Sequence, residues 1–181
     1  MSTKNPLVWI VMGSISDAEK MKVVEEVLNW LGVPNEVNAL SAHRTPDTVV
    51  QLAKSARARG IKVIIAAAGG AAHLPGVIAA HTSLPVIGVP ISGLEGLGGL
   101  DALLSIAQMP PGVPVATMAI NGAKNAAVFA VRILAVCPEH ADILERLIEY
   151  QQGVAYGVLG VNQQLHELGI VGYIAAHPPK A

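Results

Sequence analysis

Apolar and polar positions alternate in blocks along the first 135 residues, and the blocks predict strand, helix, strand, helix throughout. Leu7–Met12 (LVWIVM) is a continuous apolar run rich in β-branched residues, the pattern of a strand buried on both faces. Gly13–Asp17 is a polar turn. Ser16 or Asp17 then caps a helix to about Leu31, with Met21, Val24, Val27, Leu28 and Leu31 on one face and Gly32 closing it. Glu36–Leu40 predicts a second strand. Ser41–Pro46 predicts a loop, with Pro46 in the first turn of a helix that runs to about Arg59.

Val63–Ala67 predicts the third strand. A glycine-rich loop, Gly69–Pro75, leads into a short helix over about Gly76–His81. Val86–Val89 is the fourth strand, Ile91–Gly99 a loop with four glycines, Asp101–Ala107 a helix, and Val113–Ile120 the fifth strand. Asn125–Ala135 predicts an apolar helix. From Glu139 an amphipathic helix carries Ile143, Leu147 and Tyr150, and the tail over Val154–Gly172 is expected to be partly helical. This order implies one α/β domain with a parallel sheet and right-handed crossovers, residues 1–136, and a helical extension of it, 137–181. Ligands in such sheets bind outside the carboxyl ends of the strands, so the loops after strands one, two and three hold the candidate site.

Composition sharpens this picture. The 181 residues suit one domain. A net charge of -1 offers nucleic acid no basic stripe. Hydrophobic residues make up 52% and charged residues 14%, fewer charges than a typical soluble domain, so surface hidden in a homo-oligomer is expected. The single Cys137 excludes an intrachain disulfide framework and reads as a small hydrophobe near a helix end. No signal-like segment opens the chain, and no apolar run is long enough for a bilayer. Both features point to a cytoplasmic protein without membrane partners.

Three loops carry chemistry. Gly13-Ser14-Ile15-Ser16-Asp17 opens a helix, where backbone N–H groups favour an anion such as phosphate; an ordinary N-cap reads equally from the same residues. Asp17 would repel a phosphate unless it binds sugar hydroxyls. In Ser41–Pro46, His43 can take and return protons near neutral pH, and Arg44 offers a planar fork for an anion. Ala66–Ala72 has no side chain larger than methyl and lets backbone approach a flat ligand closely. His73 follows as either a polar contact to that ligand or a structural histidine. The other histidines, His81, His140, His166 and His177, show no metal-ligand spacing, so no metal is expected. Met109 reads as core.

Read together, five motifs go beyond spacing: Met12-Gly13-Ser14 with Ser16-Asp17; Ser41–Pro46 (SAHRTP); Gly69–Gly76 (GGAAHLPG); Gly88-Val89-Pro90; and Ser105-Ile106, Gln108-Met109-Pro110, Gly112 and Pro114-Val115. In this order they closely resemble the PurE family, the N5-carboxyaminoimidazole ribonucleotide mutases of bacterial purine synthesis, over roughly residues 7–136. The resemblance implies a three-layer α/β/α flavodoxin-like fold. It also implies a homo-octamer in which C-terminal helices pack on neighbouring subunits.

The implied reaction moves a carboxylate from the exocyclic nitrogen to carbon 4 of an aminoimidazole ribonucleotide, with no cofactor. By the same resemblance His43 is the catalytic proton shuttle, Ser14 and Asp17 bind phosphate and ribose, and Arg44 clamps the phosphate. Ser16, Ser41, Gly69, His73 and Leu74 match other substrate-binding positions.

A second class of the family carboxylates aminoimidazole ribonucleotide directly with CO2. It carries Lys where Arg44 stands and lacks the AAHLPG run, so Arg44, His73 and Pro75 favour the mutases. The direct carboxylase and a non-catalytic nucleotide-binding regulator of the same fold are the alternatives. The chain departs from the family at Ala67, usually Gly, where a methyl would tighten the pocket. It departs again in the Ile91–Leu104 segment, at Ala102 in place of Ser, and at Ala107 in place of Val.

Overall fold

A computed structural model of the chain describes residues 5–93 and 96–178. Five parallel strands form one sheet: β1 (Val8–Met12), β2 (Asn35–Ala39), β3 (Val63–Gly69), β4 (Val86–Ile91) and β5 (Ala116–Thr117), in the order β2-β1-β3-β4-β5. The helices are α1 (Ala18–Trp30), α2 (Pro46–Ser55), α3 (Leu74–Ala79), α4 (Leu100–Ala107), α5 (Ala123–Ala135) and α6 (Ala141–Ala176).

Alternation along the central strands builds two cores. Val8, Ile10 and Met12 of β1, Val63, Ile65 and Ala67 of β3, and Ile87 and Val89 of β4 pack beneath α1, α5 and the start of α6. Trp9 and Val11, Ile64, Ala66 and Ala68, and Val86 face α2, α3 and α4. Helices therefore cover both faces of the sheet, and β1 and β3 are buried as their unbroken apolar runs predict. Gly88 is required where α4 crosses β4, since a Cβ there would stand 2.3 Å from Ile106 Cγ2.

The three-layer α/β/α expectation holds, and the differences lie at element ends. The second strand begins one residue early and ends before Leu40. The second helix stops at Ser55 rather than near Arg59; residues 56–60 continue as tight turns and leave through Gly60 at φ 98. Gly69 is the last residue of β3, and α3 begins at Leu74, two residues before the expected start. The expected strand over Val113–Ile120 shrinks to Ala116–Thr117. Pro114 has no N–H to give a ladder, and Asn121 turns the chain in the left-handed region at φ 58.

The tail, expected to be partly helical, is helical over 36 residues, with non-helical dihedrals only at Gly169. Ile143 and Leu147 seat its first turns on the core. Arg146 secures the same end, donating from Nε to the Leu31 carbonyl at 2.6 Å and from Nη2 to Asp142 at 2.9 Å. Beyond Tyr150 the helix carries exposed Val154, Tyr156, Val158, Leu159, Ile170 and Val171. Cys137 is exposed, which corrects the reading of it as a small hydrophobe. Among the described residues, no helix is long and apolar enough to cross a membrane. Part of the four-glycine loop expected over Ile91–Gly99, residues 94 and 95, lies outside the described residues, as does the chain start at 1–4.

Candidate active site

The chain order reverses between β1 and β3: β1 leads by α1 to β2 on one side, and β3 continues to β4 on the other. A crevice must open there at the carboxyl ends of the strands. It is a cleft of about 960 Å³, and every candidate residue lines it: Ser14, Ser16, Asp17, Ser41, His43, Arg44, Gly69, His73 and Leu74.

The first loop is a short 3-10 turn capped by Ser14, whose Oγ accepts from the Ser16 N–H at 3.3 Å and the Ser16 hydroxyl at 2.8 Å. Ser16 Oγ also lies 3.4 Å from Asp17 Oδ1, so the two hydroxyls and the carboxylate form one hydrogen-bonded group lining the cleft. Asp17 is the buried charged side chain of the described residues. Burial pushes its carboxyl above the ordinary carboxylate range, while the Ser16 hydroxyl, the Ser14 backbone contact and the Lys20 charge pull it back down. A carboxylate so placed is a strong acceptor aimed into the cleft, suited to sugar hydroxyls.

The second loop is closed on itself. Ser41 N–H donates to Thr45 Oγ1 at 3.0 Å, Thr45 Oγ1 donates to the Ser41 carbonyl at 2.9 Å, and Arg44 N–H donates to Ser41 Oγ at 3.2 Å. Pro46 then starts α2. This tight turn presents His43 and Arg44 side by side to the cleft.

The third loop brings the second histidine. His73 occupies the position before α3, but its ring caps nothing. Instead its Nδ1 meets His43 Nε2 at 2.8 Å, the rings edge to face with centroids 5.0 Å apart. Such a contact needs one nitrogen as donor and the other as acceptor, so a single proton lies between the two rings. Gly69 lets β3 and β4 approach closely at the cleft floor: a Cβ there would stand 3.1 Å from the Ile91 carbonyl oxygen. Ala67 corrects an expectation. Its side chain is fully buried on the α5 face of the sheet and does not line the cleft, so its methyl leaves the pocket unchanged. Ala102 is likewise fully buried, on the face of α4 that packs against the sheet. Met109 is half-buried, its sulfur against Gly76.

Two polar side chains that line the cleft lie outside the loops singled out from the sequence, Lys20 and Ser92. Lys20 lies three residues beyond Asp17 on α1, a spacing that puts both on one face. Ser92 follows β4, and the carboxyl-end rule applies to that loop as to the first three. Among the described residues, no three His, Cys, Asp or Glu side chains are grouped to hold a metal ion.

The chain is similar to known proteins in sequence and fold. The N5-carboxyaminoimidazole ribonucleotide mutase of Pyrococcus horikoshii is 51% identical over 175 residues, 97% of each chain. That of Aquifex aeolicus is 60% identical over 141 residues, 77% of this chain and 84% of its own. The crystal structure of Treponema denticola PurE superposes with a TM-score of 0.78 at 28% identity, covering 88% of this chain and 98% of that one. The family model described as AIR carboxylase matches residues 7–156, and the chain belongs to the AIR carboxylase family.

Proposed function

We infer that this chain is an N5-carboxyaminoimidazole ribonucleotide mutase of purine biosynthesis, an isomerase that moves a carboxylate from nitrogen to carbon within one substrate. The observation that carries the site assignment is the 2.8 Å contact between His43 and His73 in a cleft otherwise lined by anion and sugar binders. Relatives bearing the mutase name at about half identity support the same activity. The bound nucleotide has its phosphate at the Ser14–Ser16 turn and Arg44, and its ribose hydroxyls on Asp17. Ser41 holds the Arg44 loop in shape. Gly69 and Leu74 form the wall against which the flat imidazole lies.

The chemistry is a proton cycle. His43 gives a proton to the exocyclic nitrogen as the N–C bond to the carboxylate breaks, releasing CO2 into the cleft. The enamine-like carbon 4 attacks that CO2, forming the new C–C bond. His43 then takes the carbon 4 proton and is restored, so no net proton is consumed. His73 orients the His43 ring by holding its Nε2. No cofactor enters this cycle.

Residues 1–136 form the catalytic unit, and residues 137–181 extend it toward neighbouring subunits in a cytoplasmic homo-octamer. Support comes from the exposed apolar residues of α6 and the low charge content. Trapping CO2 calls for a covered cleft, and His43 and His73 are exposed in the single chain, so a neighbouring subunit over this face fits the chemistry. The test offers purified protein the carbamate nucleotide, and separately aminoimidazole ribonucleotide with bicarbonate. Rapid formation of the carbon 4 carboxylate from the first alone is expected; formation from the second alone assigns the direct carboxylase, and from neither a binding protein.

A further inference from the structure

Ser92 follows β4 at its carboxyl end and lines the cleft, and its backbone N–H, its carbonyl and its hydroxyl oxygen are all engaged. Its N–H donates to Asn121 Oδ1 at 3.1 Å. That bond fixes the orientation of the Asn121 amide, because a backbone N–H needs the oxygen and not the nitrogen. Asn121 Nδ2 consequently donates to Ser92 Oγ, at 2.8 Å. From the other side, Lys20 Nζ donates to the Ser92 carbonyl and approaches Oγ at 3.4 Å. Asn121 holds its place at φ 58, a left-handed conformation that asparagine tolerates better than most residues, with its own N–H on the Pro90 carbonyl at 2.8 Å.

The hydroxyl of Ser92 thus faces two groups that can only donate. An amide NH2 and an ammonium occupy its lone pairs, and neither can accept its hydrogen. The hydrogen must point elsewhere, and the side open to it is the cleft. Beside it stands the ammonium of Lys20. A hydroxyl donor next to a cation suits an anionic oxygen.

We propose that Ser92, held by Asn121 and Lys20, is a further substrate-binding residue that donates its hydroxyl hydrogen to an anionic oxygen of the bound ribonucleotide. This rests on the reading of the cleft as the nucleotide site. Both the phosphate and the carboxylate of the substrate present such an oxygen.

Titration calorimetry with two probes tests it: the carbon 4-carboxylated product nucleotide, and ribose 5-phosphate, which has the phosphate but no carboxylate. Ser92→Ala keeps the backbone N–H and carbonyl that Asn121 and Lys20 hold, and removes the hydroxyl, both its donor hydrogen and the oxygen that accepts from Asn121 Nδ2. It is expected to weaken product binding roughly ten- to a hundredfold, the range for a hydrogen bond to a charged group. Ser92→Thr keeps the hydroxyl and should restore binding to near the parent value. The same loss with ribose 5-phosphate places the oxygen on the phosphate; loss with the product alone places it on the carboxylate. If the parent protein binds and Ser92→Ala binds equally well, the proposal is overturned. If the parent protein binds neither probe, the reading of the cleft fails first, and the role of Ser92 with it.

Discussion

His43 Nε2 and His73 Nδ1 stand 2.8 Å apart, although 30 residues separate them in the chain. They arrive from loops after different strands, β2 and β3, which the sheet order places on either side of β1. Both rings line the cleft: His43 from a turn locked by its own hydrogen bonds, His73 from the position before α3. The proposed proton cycle gives them unequal work, with His43 meeting substrate and His73 acting through it.

His43→Asn should keep the fold and much of the nucleotide affinity, because Asn still hydrogen-bonds but cannot shuttle a proton at neutral pH. Turnover of the carbamate substrate should fall by roughly 10²–10⁴-fold, the range for losing a general acid–base group. His73→Asn should cost less. Saturating turnover of both variants, after their assembly is confirmed, checks this; near-normal turnover in the first with a dead second reverses the roles.

Arg44→Lys should raise KM with kcat nearly unchanged. The charge stays, but the planar fork that matches phosphate geometry is lost. An unchanged KM removes Arg44 from the phosphate subsite.

Asp17 connects stability to binding. Its carboxyl is raised in the folded chain, chiefly by burial, so the ionised form costs the fold stability. The protonated form is favoured below the ordinary carboxylate range, and that advantage is lost as pH rises through the raised value. Asp17→Asn should therefore raise the Tm of the unliganded protein at neutral pH, with the gain shrinking as pH falls toward 4 (about the ordinary aspartate value). The same variant should bind the nucleotide more weakly. Thermal melts at both pH values check the sign, and a lowered Tm at neutral pH contradicts it.

The apolar residues that α6 exposes past Tyr150 predict assembly. Sedimentation at micromolar concentration should give a species far above 18.7 kDa, the mass of one chain. A clean monomer would remove the proposed cover of the cleft.

Strands with unbroken apolar runs, β1 and β3, were legible in the sequence because burial on both faces leaves an unambiguous pattern. β5 was not, since an apolar stretch between Pro110 and Asn121 reads as a longer strand, while Pro114 and the left-handed turn at Asn121 confine the ladder to Ala116–Thr117. The tail was underread because Gly153, Gly157, Gly160 and Gly169 lower helix propensity, and only Gly169 breaks the helix. The site was legible wherever a loop held unusual residues. Lys20 and Ser92 were missed because a lysine on a helix and a serine in a loop are ordinary residues. What marks them is the meeting of α1 with the end of β4, 72 residues apart in the chain.

Transfer within one substrate is most directly measured by labelling. Carbamate nucleotide carrying carbon-13 in its carboxylate is converted in excess unlabelled bicarbonate, and the product is weighed by mass spectrometry. Label retained at the carbon 4 carboxylate is the predicted result, since CO2 released beside His43 is captured before it escapes. Product formed at the same rate but without label would mean that the carboxylate comes from solution, and would contradict the mutase assignment.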